Sequence, residues 1–331
     1  MRHRGTRHPH RGSRRQQAGR RTGCRREGHD AGGVAVSGDA HRAGHLAIVG
    51  RPNVGKSSLL NRMVGQKISI TSRRPQTTRQ RIIGIVTRPD AQYVFVDTPG
   101  FQTRHGSTMN RLMNRSVTRS ISDVDAVVWV VEAPRLTAED RAVFGLLRPD
   151  IPFVVALNKI DSVGNKNELL PLMQDIEALA RPAAIIPVSA KTGSGIDGLL
   201  AVLRPLLPEQ EVMYGEDEVT TASERTLAAE LLREKLFRLL GEELPYSALV
   251  EIEKFETVNG LRRIHAGIIV DKPGHKGIVI GKGGAKLKEI ASQARADMER
   301  LFGGKVFLEV WVKVKSGWAD DPGVLRRSGI D

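Results

Sequence analysis

The stretch GRPNVGKS at residues 50–57 directly follows the apolar run LAIV at 46–49 and precedes SLLNRMVG at 58–65, which has the character of a helix. The pattern G-x-x-x-x-G-K-[ST] between a strand and a helix is a phosphate-binding loop. Its glycines let successive amide N–H groups turn inward onto phosphate oxygens, and the helix adds its positive N-terminal end. Lys56 is placed to reach the β- and γ-phosphates, and the Ser57 hydroxyl to hold Mg2+. Gly50, Asn53, Val54, Gly55, Lys56, Ser57 and Ser58 form the expected phosphate cradle.

Downstream of the loop, short apolar runs alternate with helical patterns as far as about Met213. The runs are YVFVD at 93–97, AVVWVV at 126–131, FVVAL at 153–157 and AIIPVS at 184–189. Near-continuous apolarity over so few residues suits strands buried on both faces, so this part reads as a mostly parallel, doubly wound α/β sheet. Ile82–Thr87 and Tyr93–Asp97, joined through Arg88-Pro89-Asp90, read as a hairpin that adds one antiparallel strand. Such sheets bind ligands at the carboxyl ends of their strands, which is where the remaining motifs fall.

Asp97-Thr98-Pro99-Gly100 places a carboxylate for Mg2+ and a glycine amide for the γ-phosphate. Asn158-Lys159-Ile160-Asp161 offers an amide to the purine O6/N7 edge and a carboxylate to N1 and N2 of guanine, and Ser189-Ala190-Lys191 braces the base from the other side. Four such motifs in order on successive strand ends point to GTP or GDP. His105 and the pair Glu139-Asp140 read as switch-loop and surface residues, not as general acids or bases.

The pattern changes after a linker at 214–224. A helix at 225–240 carries Leu227, Leu231, Leu232, Leu236, Leu239 and Leu240 on one face. Strands at 246–256 and 261–271 follow, turning at Val258-Asn259-Gly260, then a helical region and a last strand VFLEVWVKV at 306–314. This order predicts an α+β domain over 225–331 whose antiparallel sheet is covered on one side. Ile280-Gly281-Lys282-Gly283-Gly284 fits the G-x-x-G loop of a KH domain, against which a single-stranded RNA backbone can pack. Lys276, Lys282 and Lys286 would add attraction for phosphate, and the element order is that of the type II KH arrangement.

At 331 residues the chain suits two domains, with a formal charge of +14 that favours a polyanionic partner. Residues 1–44 hold eleven arginines against Glu27, Asp30 and Asp39, and so carry eight of the fourteen net charges. That segment has almost no large apolar residue and reads as a disordered basic extension. It is either an RNA-contacting arm or a stretch ahead of a true start near Val34 or Val36. The single cysteine, Cys24, fits a reducing compartment, and with no long apolar run a cytoplasmic protein is expected.

Residues 45–213 resemble the GTPases of the translation-factor class. With RRPQTTRQR at 73–81 and GIVIGKGGAKLKEI at 277–290, the whole chain after residue 44 resembles the Era family, bacterial KH-domain GTPases of small ribosomal subunit assembly. The resemblance implies a first switch around Gln76-Thr77-Thr78-Arg79, with Thr78 or its competitor Thr77 as the ligand of Mg2+ and γ-phosphate, and a second switch over 97–106. Lys56, Thr78 and Gly100 become the expected catalytic set. Ser58 stands where family members usually carry Thr. Phe101 occupies the position at which many signalling GTPases place a water-orienting glutamine, which predicts slow intrinsic hydrolysis. Asn53 matches the asparagine with which related GTPases hold K+. The implied partners are the 3′ end of 16S rRNA and the 30S subunit, engaged by a monomer, with the inner membrane surface as a further peripheral contact. Two other readings stay open: a constitutive RNA-binding assembly chaperone with structural nucleotide, and a membrane-surface cell-cycle GTPase.

Overall fold

The computed structural model describes residues 40–72, 77–101, 108–241 and 244–327. The extension expected over 1–44 lies outside them up to residue 39, as do parts of both expected switches at 73–76 and 102–107. Its last three residues do not belong to it. Strand β1 spans Arg42–Val49 because the segment at 205–210 anchors its start. Arg42 Nη1 donates to the Leu207 carbonyl at 2.7 Å, Arg42 pairs with Glu209, and the Ala43 amide donates to the Pro208 carbonyl at 3.2 Å.

The N-terminal unit continues through α1 (Lys56–Val64), β2 (Ile82–Arg88), β3 (Ala91–Asp97), α2 (Thr108–Ser122), β4 (Ala126–Glu132), α3 (Ala138–Phe144), β5 (Phe153–Asn158), α4 (Leu169–Ala180), β6 (Ala184–Pro187) and α5 (Ile196–Leu203). The sheet order is β2-β3-β1-β4-β5-β6, and only β2 runs antiparallel to its neighbour. Alternate strand residues feed two cores. Leu46, Ile48, Phe95, Val128 and Val130 face α1 and α5, while Ala47, Val49, Val127, Trp129 and Val155 face α2 and α4. The expected linker is strapped along the sheet edge. Ile85 donates to the Val219 carbonyl at 2.9 Å, and Thr220 Oγ1 to the Ile83 carbonyl at 2.6 Å.

The C-terminal unit runs α6 (Glu224–Leu239), β7 (Ala248–Val258), β8 (Leu261–Val270), α7 (Pro273–Ile280), α8 (Ala285–Phe302), β9 (Val306–Val314) and α9 (Pro322–Arg327). β7 and β8 are antiparallel, but β9 lies parallel to β8, with Ile264 opposite Leu308. The all-antiparallel expectation is therefore wrong. The helical connection α7–α8 returns the chain to the end at which β8 began, which is the condition for a parallel neighbour. Among the described residues no helix is long and apolar enough to cross a membrane.

Helix α6 is buried on more than its leucine face. Leu227 belongs to the core of the first sheet, whereas Leu231, Leu232 and Leu236 belong to that of the second. Its charged residues Glu230, Arg233, Glu234 and Lys235 are also buried, and each is paired. Arg233 holds Glu230 through two bonds of 2.8 and 2.6 Å. Lys67, from the first unit, reaches Glu234 at 2.5 Å and Asp297 of α8 at 3.1 Å, and Lys235 also binds Asp297. Burial acts to raise the Asp297 carboxyl, but the Lys235 hydrogen bond and the Lys67 charge outweigh it and hold it at about 2.

This network ties the two units and sets a pH dependence. Asp297 binds its proton more weakly folded than unfolded, so its contribution is complete above the ordinary carboxylate range and is lost as pH falls through about 2. Asp297→Asn should lower stability by about 1–3 kcal/mol at pH 7. Chemical denaturation at pH 7 and near pH 2 should show that difference shrinking at the acid end; an equal deficit at both would contradict the assignment.

Candidate nucleotide site and RNA interface

The phosphate loop leaves β1 and enters α1 through Gly55, whose φ of +99° is a left-handed conformation that favours glycine. A Cβ there would stand 2.4 Å from Asn158 Nδ2. Lys56 is buried under the loop, with Nζ donating to the Gly50 and Arg51 carbonyls at 3.0 Å each. Burial pulls its ammonium down to about 8, with Asp97 acting in the opposite sense. A polyphosphate supplies the negative charge that this buried cation needs.

Asp97, at the end of β3, is fully buried and gathers hydroxyl groups. Ser57 Oγ donates to Asp97 Oδ2 at 2.7 Å, Ser69 Oγ at 2.8 Å and Thr78 Oγ1 at 3.4 Å, and the Ser57 and Thr78 oxygens lie 2.8 Å apart. Burial pushes the carboxyl up, against the Ser57 bond and the Lys56 charge. Asp97 Oδ1 is buried with no hydrogen-bond partner among the described residues. A hard, all-oxygen set with an unused carboxylate oxygen suits Mg2+. Thr78 reaches this cluster, while Thr77 lines the adjoining cleft together with Asn53, Ser58 and Gly100. Ser69 carries no sequence signal, because the loop that delivers it matches no motif.

Gly100 lies close against the phosphate loop, where a Cβ would stand 2.9 Å from Pro52 Cα. The next side chain, Phe101, is half-buried and packs against the core behind the sheet.

On the base side, the Asn158 amide donates to the Val54 carbonyl at 2.8 Å and accepts from the Ala190 amide at 3.0 Å. With 2% of its surface exposed, it braces the phosphate loop against the 189–191 loop as well as facing the expected base pocket. Asp161 accepts from Ser189 Oγ at 2.7 Å, and this bond lowers its pKa, so the carboxylate is ionised and ready to accept from a base edge. Asp161, Lys159, Ala190 and Lys191 line one cleft. Lys159 Nζ binds Glu132 at 2.7 Å, and Glu132 also holds Arg51. Arg51 in turn pairs with Asp140, a fully buried carboxylate that caps α3 with Thr137. Asp140 is thus no surface residue. Its signal was the Thr137-x-x-Asp140 spacing of a capping box.

In the second unit, Gly281, Lys282, Gly283 and Gly284 join α7 to α8. Gly281 has a φ of +70°, and a Cβ there would stand 2.7 Å from Lys286 Cβ. Lys276 and Lys282 are exposed with no ion pair among the described residues, whereas Lys286 is paired with Glu289 at 2.9 Å and is the weaker candidate. Ile280 is half-buried, and Ile278 on α7 is 56% exposed, an apolar face beside the loop that the sequence reading passed over.

The family described as 50S ribosome-binding GTPase matches residues 45–159, and the KH domain family matches 243–319. The GTPase Era of Nitrosomonas eutropha is 53% identical over 296 residues, covering 89% of this chain and all of that protein. The chain belongs to the Era family. The Chromobacterium violaceum Era is 54% identical over 87% of this chain and 97% of its own length. Two Era crystal structures, one from Aquifex aeolicus bound to GDP·AlF4− and one in complex with MgGDPNP and nucleotides 1506–1542 of 16S ribosomal RNA, superpose with a TM-score of 0.84 at 36% identity. They cover 87% and 88% of this chain and 99% of their own. The chain is therefore a GTPase that converts GTP and water to GDP and phosphate.

In this Era-family chain, the residue next to Thr78 leaves the nucleotide site altogether. Arg79 is 2% exposed; its guanidinium donates to the carbonyls of Ala248 at 3.0 Å and of Pro245 and Tyr246 at 3.2 Å each. It lies 5.8 Å from the Phe237 ring and 6.0 Å from Trp318. Burial, then the nearby Arg233, lower its pKa to about 9, which keeps it charged at neutral pH. Met109 and Met113 of α2 meet Leu249, Ile269, Trp318 and Leu325 in a separate small core.

Asp161→Ala should lower affinity for GDP by tenfold or more while leaving any weak adenine-nucleotide binding unchanged, since only guanine presents N1 and N2 donors to that carboxylate. Titration with both nucleotides measures it; parallel losses would remove Asp161 from base recognition.

Proposed function

We propose that the chain is a GTP-driven switch that binds the 3′ end of 16S rRNA through its KH loop and serves assembly of the 30S subunit. It would act as a cytoplasmic monomer, with a GTPase domain over 45–213, a strap over 214–224 and a KH domain over 225–331. The observation that carries this reading is the adjacency of Thr78 and Arg79: one residue faces the carboxylate cluster of the nucleotide site, and the next is anchored in KH-domain carbonyls. The Era structure with ribosomal RNA supports the choice of partner.

In the reaction, water attacks the γ-phosphorus, the bond to the β–γ bridging oxygen breaks, and a proton is released with phosphate. Gly50, Val54, Gly55, Lys56 and the adjoining loop amides neutralise and orient the phosphates. Ser57, Thr78 and Asp97 would hold Mg2+, which when bound shields charge between the β- and γ-phosphates. The Gly100 amide would donate to the γ-phosphate, and Phe101 offers the attacking water no polar group, so intrinsic turnover is slow. Asn53 would hold K+ beside the phosphates in place of an arginine finger. RNA affinity must differ between the two nucleotide states for the switch to operate.

Single-turnover hydrolysis by residues 40–331, with and without a single strand copying the rRNA 3′ end, tests the reading. RNA should accelerate turnover, and Lys282→Glu should abolish the acceleration. Binding without acceleration, with equal RNA affinity for the GTP-analogue and GDP forms, would leave a constitutive RNA-binding chaperone instead. Turnover should be several-fold faster in K+ than in Na+, and equal rates in the two would exclude the ion.

A further inference from the structure

Asp97 Oδ2 accepts from three hydroxyl groups, and only one of the three has no further task. Ser57 and Thr78 are the residues expected to turn their oxygens to Mg2+, whereas Ser69 lies outside the nucleotide motifs. Its Oγ donates to Oδ2 at 2.8 Å from a residue that is 2% exposed, set between Ile68 and Ile70, which are just as buried. A hydroxyl among apolar neighbours costs free energy unless it is bonded, and here the carboxylate is its acceptor.

Helix α1 puts Ser69 in that place. Asn61 Oδ1 accepts from the amides of Ile68 and Ser69 at 2.9 Å each, and Asn61 Nδ2 donates to the Ser69 carbonyl at 2.6 Å. Both backbone polar groups of Ser69 are thus held by one side chain. Asn61 follows Ser57 by one helical turn, on the same face of α1. One helix face therefore brings two hydroxyls to one carboxylate oxygen, the first directly and the second through a clamped loop. The loop is also held from the C-terminal unit, where Lys67 pairs with Glu234 of α6 and the Thr71 amide donates to the same carboxylate at 3.2 Å.

The arrangement bears on how Asp97 is turned. Oδ2 takes all three hydroxyl bonds, and Oδ1 is buried without a partner among the described residues. Once Ser57 and Thr78 are committed to a metal, a carboxylate held by nothing else is free to rotate about its Cβ–Cγ bond. Ser69 is the donor that remains. Groups that hydrogen-bond a metal-binding carboxylate fix its orientation, and their loss weakens metal binding.

We propose that Ser69 is a positioning residue of the Mg2+ site: its hydroxyl, placed by the Asn61 clamp, holds Asp97 Oδ2 so that Oδ1 is kept for the ion. This rests on the reading above that Asp97 holds Mg2+. The test follows release of fluorescently labelled GDP from the full chain over a series of free Mg2+ concentrations. It compares the wild type, Ser69→Ala, Ser69→Thr and Asp97→Asn.

Mg2+ should slow release from the wild type, and Ser69→Ala should need about tenfold more Mg2+ to reach half of that slowing. In EDTA Ser69→Ala should release GDP as the wild type does, which also shows that its pocket is intact. Ser69→Thr keeps the hydroxyl and should restore the wild-type midpoint. An unchanged midpoint in Ser69→Ala would overturn the proposal. So would release that is faster by the same factor at every Mg2+ concentration, the mark of a residue that only supports the loop, or a Ser69→Thr midpoint as high as that of Ser69→Ala. Asp97→Asn should abolish the response to Mg2+; if it responds as the wild type does, the reading of Asp97 itself fails and the proposal falls with it.

Discussion

The guanidinium of Arg79 holds the two units in a fixed relation. Three backbone carbonyls accept from it and two aromatic rings flank it, all supplied by the C-terminal unit. At a site this buried each of those bonds is strong, and withdrawing the cation would leave buried acceptors without donors. The cage is therefore either filled or costly. Since Thr78 is one peptide bond away with its hydroxyl against Ser57 and Asp97, a shift of the first switch of more than an ångström or two strains one anchor or the other.

The rest of the contact between the units divides by chemistry. Around α6 it is ionic. Lys67 bridges Glu234 and Asp297, and Thr71 donates to Glu234, so the loop that leads into the first switch is held by directional, paired charges. Around α2 it is apolar, with Met109 and Met113 against Trp318 and Leu249. Paired buried charges specify one geometry and resist sliding, whereas unbranched methionines tolerate repacking. The seam thus has a rigid side at the first switch and an adaptable side at the helix that follows the second.

What was legible in the sequence was whatever is local. The phosphate loop, the 97–100 and 158–161 motifs and the glycine loop at 281–284 each sit within a few consecutive residues, and their backbone conformations follow from glycine and from strand ends. The direction of β9 was not legible, because VFLEVWVKV alternates in the same way whichever way it pairs. Asp140 looked like a surface acid because its partner, Arg51, is 89 positions away. Arg79 stood inside a recognised switch motif, yet nothing in that motif says that its side chain turns away from the nucleotide. The strand start at Arg42 was hidden by a basic composition that matches the extension, while its anchors lie at 207–209.

Phe101 gives these features a common consequence. Its ring has no polar group and packs, half-buried, against the core behind the sheet, and Gly100 has no room for a side chain against Pro52, so neither side chain can orient water. In the proposed reaction, catalytic order would then come from backbone amides and from the loop that carries Thr78. A side chain aimed at the reaction would act whatever the rest of the loop did, but a backbone donor is only as well placed as its whole segment. Since that segment is anchored through Arg79 in the C-terminal unit, the domain that would hold RNA shares control of a loop that reaches the carboxylate cluster of the nucleotide site.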